Sequence, residues 1–235
     1  MFDAAAKALA QMFTPPMRAI LLKAVGLALI VIVVFGIALQ RALVWLAGAG
    51  QHWAQDALGP ASQTPLNLLV WIVSIAASLG IILGSVFLMP AVSSFVASFF
   101  VDEIAGEVER AHYGHESPGS PVALPRALME GSKTAGLAVL VYLVALPFLF
   151  VAGLGVLIFF LAAAYLLSRE YFELAAMRFR PPADAKALRR AHRGTVFAAG
   201  LMIALFVSIP IVNLATPLFG MALMVHMHKR IANRE

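Results

Sequence analysis

The sequence SIPIVNLATP, residues 208–217, places two prolines and an asparagine inside an apolar region near the end of the chain. In a lipid bilayer every backbone N–H and C=O group must find a partner within the protein, so a helix is rarely broken there without a reason. Pro210 removes one hydrogen-bond donor, and Asn213 is a favourable N-cap for a helix that follows. The stretch therefore predicts a turn between two helices at membrane depth.

Two short apolar arms flank this turn. Thr195–Ile209 has 15 residues and Leu214–His226 has 13, whereas a full crossing of the bilayer needs about 20 residues. We therefore predict a re-entrant hairpin, which enters and leaves the membrane on the same side. Its tip contains Pro210, Asn213 and Pro217, which we predict to line a pathway. Two interpretations of Asn213 stay open: contact with an anion at the N-terminus of the second arm, or a cap for that helix.

The amino-acid composition indicates a membrane protein. Of its 235 residues, 62% are hydrophobic and 12% are charged, whereas soluble domains have about 45–50% apolar and about 25% charged residues. The chain contains no cysteine, which excludes disulfides, thiol nucleophiles and thiolate metal sites. We therefore predict an all-α integral membrane protein that forms a single membrane domain.

Apolar runs and polar breaks divide this domain into segments. Another hairpin is predicted around Pro147, because a proline and glycines again separate two apolar arms. The complete fold prediction is two long transmembrane helices plus two re-entrant, partly penetrating helical hairpins. Its segments are an amphipathic surface helix (1–13), transmembrane helix 1 (17–45), a long transmembrane helix 2 with a cytoplasmic extension (66–112), the first hairpin (125–180), a basic connector (181–194) and the second hairpin (195–230).

The positions of the basic residues predict the orientation of the chain. Of 17 lysines and arginines, only Arg41 lies in the loop Gln40–Pro65, between the two predicted transmembrane helices. Because cytoplasmic loops carry an excess of lysine and arginine, both termini are predicted to be cytoplasmic. Six full spans would give the same sidedness, so the charges do not separate the two topologies, and only the short arms favour re-entry.

The sequence contains no recognised catalytic motif, such as a metalloprotease His-Glu-x-x-His, a nucleophile elbow or a phosphate-binding loop. We therefore predict that the protein is not an enzyme and that it uses no cofactor and no metal. The net charge of +5 is explained by membrane topology, so no nucleic-acid partner is predicted. His226 and His228 are interpreted as the boundary at which the last arm leaves the membrane.

Arg18 is the first candidate for binding a ligand. It follows Pro15-Pro16 at the start of the first transmembrane helix, where free N–H groups and the helix dipole favour an anion. A guanidinium adds bidentate recognition of a tetrahedral oxyanion. The alternative is that Arg18 is an interfacial anchor that fixes the topology.

The chain resembles the CysZ sulfate permease family over residues 13–230. The resemblance rests on Pro16-Met17-Arg18, on the long second helix with its acidic extension, on Tyr171-Phe172-Glu173 before the basic connector, and on residues 209–217. It implies two spanning helices, two hairpins that penetrate part of a bacterial inner membrane, a homo-oligomer, and sulfate passage into the cytoplasm for cysteine biosynthesis.

The resemblance also implies a site. The family's sulfate-contacting motif is Gly-Leu-Arg, and here Pro16 and Met17 occupy its first two positions while Arg18 matches its arginine. Met17 and Arg18 are therefore the predicted anion-binding residues, with sulfate or a similar oxyanion and membrane lipids as partners. The alternative function is a non-transporting scaffold or assembly protein whose basic connector binds anionic lipids or a partner.

Overall fold

The computed structural model describes residues 1–58, 67–68, 70–72, 74–75, 78–79, 96, 99–150, 154–209 and 212–233. These residues contain helices and no strand, which confirms the all-α prediction. The helices are α1 (Phe2–Met12), α2 (Pro15–Leu58), α3 (Val101–Tyr113), α4 (Leu124–Ala145), α5 (Leu154–Met177), α6 (Pro182–Ala191), α7 (Arg193–Val207) and α8 (Thr216–Ala232). Two short 3-10 helices, Leu146–Phe150 and Val212–Ala215, precede α5 and α8.

The chain forms two compact units. One contains Met1–Ala24 and Ala97–Glu235, and the other contains Val25–Val96. In the second unit, most of the apolar side chains of α2 are exposed, as in a helix that faces lipid. There, Gln40 Nε2 donates a hydrogen bond to Ser78 Oγ at 3.4 Å.

Two helices in the described part of the chain are long and apolar enough to cross a membrane, Pro15–Gly50 within α2 and Leu154–Met177, which is α5. The first contains the predicted transmembrane helix 1 (17–45), but α2 continues as a helix to Leu58, through residues predicted as part of the loop Gln40–Pro65. Much of the predicted helix 66–112 lies outside the described residues, and a turn at residues 99–100 separates its polar end, α3, from what precedes it. The second candidate span, α5, is predicted from the sequence only as an arm of the first hairpin. It extends past Leu167 because its last turns are buried in protein, with Phe172 fully buried.

Helix α8 lies at the centre of the first unit. All of its residues from Thr216 to Ile231 except Arg230 are buried, and it packs against α1, α3, α5 and α7. His226 and His228 are therefore buried inside the protein, and their position at the membrane boundary stays a prediction. The predicted second arm therefore contributes most of its length to the protein core.

Glycines permit the closest helix contacts around α5. A Cβ atom at Gly200 of α7 would lie 2.3 Å from the Ala164 carbonyl oxygen and 2.4 Å from Ser168 Cβ. A Cβ atom at Gly220 of α8 would lie 2.8 Å from the Tyr171 ring. Both α7 and α8 therefore pack closely against α5 at glycine positions, where there is no room for a larger side chain.

Both predicted hairpins contain a helix, a break and a second helix. The first break is the 3-10 helix that contains Pro147, and Tyr142 and Phe159 stack across α4 and α5 with ring centroids 5.5 Å apart. The second break separates α7 from α8. Phe206 of α7 stacks on Phe219 of α8, with ring centroids 4.6 Å apart. Pro210 lies outside the described residues. With 15 residues, α7 is about 22 Å long at about 1.5 Å per residue.

Candidate functional site

A cavity of about 670 Å³ opens where α5, α6 and the start of α7 meet. We call it the basic cleft because five of its seven lining residues are cationic and only one is anionic. The lining residues are Tyr165, Arg169, Glu173, Lys186, Arg189, Arg190 and Arg193. Their net formal charge is +4, so the cleft attracts anions electrostatically.

Helix periodicity brings these residues together. Arg169 and Glu173 are four residues apart on α5, which places them on one face one turn from each other. On α6, Ala185 and Leu188 are buried against the core. The cationic residues between and after them share the face that borders the cavity: Lys186, Arg189, Arg190 and, at the first position of α7, Arg193.

Glu173 of α5 holds two of the arginines that line the cleft. Its side chain is only 5% exposed, and its Oε1 accepts a hydrogen bond from Arg189 Nε at 2.8 Å. Arg169 Nε lies 3.4 Å from the same oxygen and is buried without a hydrogen bond. One carboxylate oxygen thus stands between two guanidinium groups and compensates the charge of only one.

Lys186 is positioned by a second carboxylate, outside the cleft lining. Glu130 accepts hydrogen bonds from Lys186 and, at 3.0 Å, from Lys133. The hydrogen bond from Lys186 lowers the pKa of Glu130; burial opposes this shift, and Lys133 reinforces it. Arg190 and Arg193, in contrast, are exposed and form no ion pair with any described residue.

The start of α2 carries the predicted anion-binding residues Met17 and Arg18. The Arg18 side chain is exposed, and its backbone N–H donates to the Thr14 carbonyl oxygen at 3.0 Å. Met17 is fully buried as a whole residue, so it presents no exposed atom to a ligand. Pro15 and Pro16 have no N–H. The start of α2 therefore offers an anion the Arg18 guanidinium, and neither Met17 nor Arg18 lines the basic cleft.

The predicted hairpin tip differs from its expected local structure. Asn213 lies inside the 3-10 helix, and the N-cap of α8 is Ala215, so the prediction that Asn213 caps the following helix is wrong. Its backbone N–H donates to the Ile209 carbonyl oxygen at 3.1 Å, while its side-chain Oδ1 is buried without a hydrogen bond. Pro217 is buried in the first turn of α8.

Sequence reasoning does not identify the basic cleft as a site. It interprets the connector's basic residues as topology determinants and, in the alternative function, as a surface that binds anionic lipids or a partner. The sequence nevertheless indicates a cationic helix face, because the cationic residues at 186, 189, 190 and 193 recur with the spacing of one face of a helix. Only the packing of α6 against α5 shows that this face closes over Arg169 and Glu173.

These features define an all-helical protein with two candidate membrane-spanning helices and a strongly cationic cleft among its described residues. Residues 4–217 match the family described as sulfate transporter CysZ/etoposide-induced protein 2.4. The chain belongs to this family, which confirms the resemblance found in the sequence. No curated protein matches the chain significantly. Family and apolar helices together indicate a sulfate transporter-like membrane protein.

Proposed function

We propose that this protein is a permease or channel that passes sulfate, or a similar oxyanion, across the bacterial inner membrane for cysteine biosynthesis. The observation that carries the proposal is the family match over residues 4–217, because the family description names sulfate transport. The composition supports a membrane location, and no nucleotide-binding motif accompanies it. Transport is then passive or coupled to an ion, and the protein is a transporter rather than an enzyme.

The topology that we propose has both termini in the cytoplasm and two re-entrant hairpins. The length of α7, about 22 Å at 1.5 Å per residue, supports this for the second hairpin, because the hydrocarbon core is about 30 Å thick. The first hairpin contains α5, which has 24 residues. This helix is long and apolar enough to cross a membrane, so the re-entry proposed for the first hairpin rests on its other arm, where the apolar run before Pro147, residues 137–146, has only 10 residues. A homo-oligomer would supply the remaining walls of the pathway.

Arg18 is the proposed first contact of the anion. Its side chain is exposed and forms no ion pair with any described residue, so its guanidinium is available to a sulfate oxygen. Arginine stays charged at any physiological pH and offers a planar fork of N–H donors. Met17 is fully buried beside it and anchors the start of α2 in the core.

The test is uptake of labelled sulfate into proteoliposomes that contain the wild type, Arg18→Gln or Arg41→Gln. Arg41 is an exposed arginine on the same helix and is the matched control. We expect protein-dependent uptake that Arg18→Gln lowers about tenfold or more, the effect of losing one hydrogen bond to a charged group, and that Arg41→Gln leaves unchanged. Equal uptake by all three proteins would discard Arg18 as the site and keep the permease.

The basic cleft favours one other function, a membrane scaffold that holds anionic lipid head groups or a partner. A cluster of arginines and lysines beside a membrane helix attracts anionic lipids at about 1 kcal/mol per basic residue. The same uptake experiment separates the two functions. Folded wild-type protein that passes no sulfate above protein-free vesicles would contradict the permease and support the scaffold.

A further inference from the structure

We propose that the basic cleft is a second anion-binding site, separate from Arg18, which takes a tetrahedral oxyanion of the sulfate or phosphate type. The oxyanion is bound by Arg190 and Arg193, together with the outer N–H groups of the Arg169–Arg189 pair. This inference does not depend on transport, because it concerns binding alone. It applies to a free anion and to the phosphate of a lipid head group, which present the same oxygens.

The basic cleft has more hydrogen-bond donors than acceptors. Among the lining residues Glu173 is the one carboxylate, and it is occupied by Arg189 at 2.8 Å and approached by Arg169 at 3.4 Å. Arginine has five N–H donors and no acceptor. Since Arg189 uses its Nε on Glu173, its terminal nitrogens have no assigned partner among the described residues. A ligand that satisfies these groups must bring acceptors and negative charge.

The clustering of cations in the cleft is energetically costly. Five cations around one cavity repel each other, and Glu173 and Glu130 offset only part of this charge. Arg169 Nε is buried without a hydrogen bond, although a charged donor in that position is costly to leave unsatisfied. An oxyanion in the cleft reduces the repulsion and supplies acceptors to the guanidinium N–H groups that line it, so binding stabilises the cleft.

Most of the cationic side chains of the cleft are already held in place. Arg189 and Arg169 are held by a buried carboxylate, and Lys186 is held by Glu130, so three of the five cations are already oriented. A ligand then has to order only Arg190 and Arg193, which lowers the entropy cost of binding. The volume of about 670 Å³ lies within the range of about 300–1,000 Å³ that is usual for small-molecule sites. It leaves room for the group that carries a phosphate.

The test measures binding by purified full-length protein. Sulfate and inorganic phosphate are titrated calorimetrically into detergent-solubilised wild type, Arg190→Gln/Arg193→Gln and Arg110→Gln. Arg110 is exposed on α3, outside the cleft, and is the matched control. The double variant removes exposed side chains that have no ion-pair partner among the described residues, so its helicity and elution volume should equal those of the wild type.

We expect the double variant to weaken binding about tenfold or more, as the loss of charge-assisted hydrogen bonds predicts, with no effect of Arg110→Gln. A lipid arm offers the same proteins phosphatidic acid or phosphatidylcholine and measures retained lipid by native mass spectrometry. Binding of inorganic anions identifies a free oxyanion as the ligand, and retention of phosphatidic acid alone identifies a lipid phosphate.

Repeating both arms with Arg18→Gln separates this site from the proposed permeation site. Binding that survives Arg18→Gln and is lost in the double variant supports the cleft, whatever the uptake experiment shows. The proposal is overturned if folded wild type binds neither ligand type. It is equally overturned if the double variant binds both as tightly as the wild type does.

Discussion

Arg178 and Glu109 form a buried ion pair that joins the residue after α5 to α3. Arg178 Nε donates to Glu109 Oε1 at 2.9 Å, and Arg178 Nη2 donates to Oε2 at 3.2 Å. Their side chains are 3% and 5% exposed. Burial alone lowers the pKa of Arg178, but its hydrogen bonds to Glu109 and Asp102 outweigh this and raise it. The pair thus fixes the end of α5 against the polar helix and the loop that follows it.

Replacing Arg178 with methionine should destabilise the first unit by about 3–5 kcal/mol, because Glu109 would remain buried without its countercharge. Thermal unfolding in detergent, followed by circular dichroism, checks this. Tryptophan fluorescence would not serve, since the three tryptophans lie at positions 45, 53 and 71, outside this unit.

The control is the double variant Arg178→Met/Glu109→Leu, which removes both charges. It should be more stable than Arg178→Met, since an apolar pair of similar size often replaces a buried ion pair at little cost. A single variant that unfolds at the wild-type temperature would show that the pair contributes nothing to stability.

The contact of α7 with α5 makes a second prediction. At Gly200 a methyl group would meet backbone and side-chain atoms of α5 at 2.3–2.4 Å, so Gly200→Ala should cost about 1–3 kcal/mol through forced shifts of the helices. At Gly194, on the same helix, a Cβ atom would meet nothing within 4 Å. Gly194→Ala should therefore be neutral, or stabilising by up to about 1 kcal/mol through helix propensity.

The same unfolding assay compares these two glycine variants. The expected order of unfolding temperatures is Gly200→Ala below wild type, with Gly194→Ala equal to or above it. Equal destabilisation by both substitutions would mean that helix-end effects, rather than the close approach of α7 to α5, decide the outcome.

Local sequence signals predict where the helices break better than they predict how the helices pack against each other. Pro147 marks a helix break in the sequence and in the structure, because proline acts on its own turn. The sequence underestimates the length of α5, since apolarity ends near Leu167 while burial of Phe172 by distant helices continues the helix to Met177. It also predicts that Asn213 caps α8, but a 3-10 turn carries the N-cap on to Ala215.

For the candidate sites too, the sequence identifies local features but not contacts between helices. Arg18 can be singled out because its neighbours Pro15 and Pro16 indicate a helix start. The basic cleft needs the convergence of three helices, and no local pattern reports which face of α6 meets Glu173. Function follows from the family resemblance, since composition indicates a membrane protein without indicating its substrate.

His226 makes the stability of the first unit depend on pH. It is buried, its Nδ1 lies 2.9 Å from the Tyr113 hydroxyl, and burial lowers its pKa to about 4, with a further contribution from His112. Burial likewise lowers the pKa of His228 to about 4, with contributions from Arg180 and Lys229. An unfolded histidine has a pKa of about 6.5, so between these values the unfolded chain binds more protons than the folded one.

The stability contributed by the neutral histidines is therefore complete above about pH 6.5 and declines as the pH falls toward 4. Each histidine contributes up to about 1.4 kcal/mol per pH unit in that interval. Unfolding temperatures measured from pH 7.5 to 5 should fall, and His226→Gln should flatten the fall. His115→Gln, at a position whose side chain is 79% exposed, should leave the profile unchanged. A wild-type profile that is flat from pH 7.5 to 5 would contradict this account.

The proposed topology of the second hairpin predicts how a single thiol reacts. The chain contains no cysteine, so Val212→Cys introduces one reactive group beside the hairpin tip, at a side chain that is 39% exposed. If α7 and α8 enter and leave from the cytoplasmic side, an impermeant maleimide added to intact cells should not label Val212→Cys.

Gly50→Cys, in the predicted outer loop, should be labelled from outside, because a Cβ atom there would meet nothing within 4 Å. Ala187→Cys, on the exposed face of α6, should be labelled only in inverted vesicles. Labelling of Val212→Cys from outside at the rate of Gly50→Cys would show that the hairpin crosses the whole bilayer.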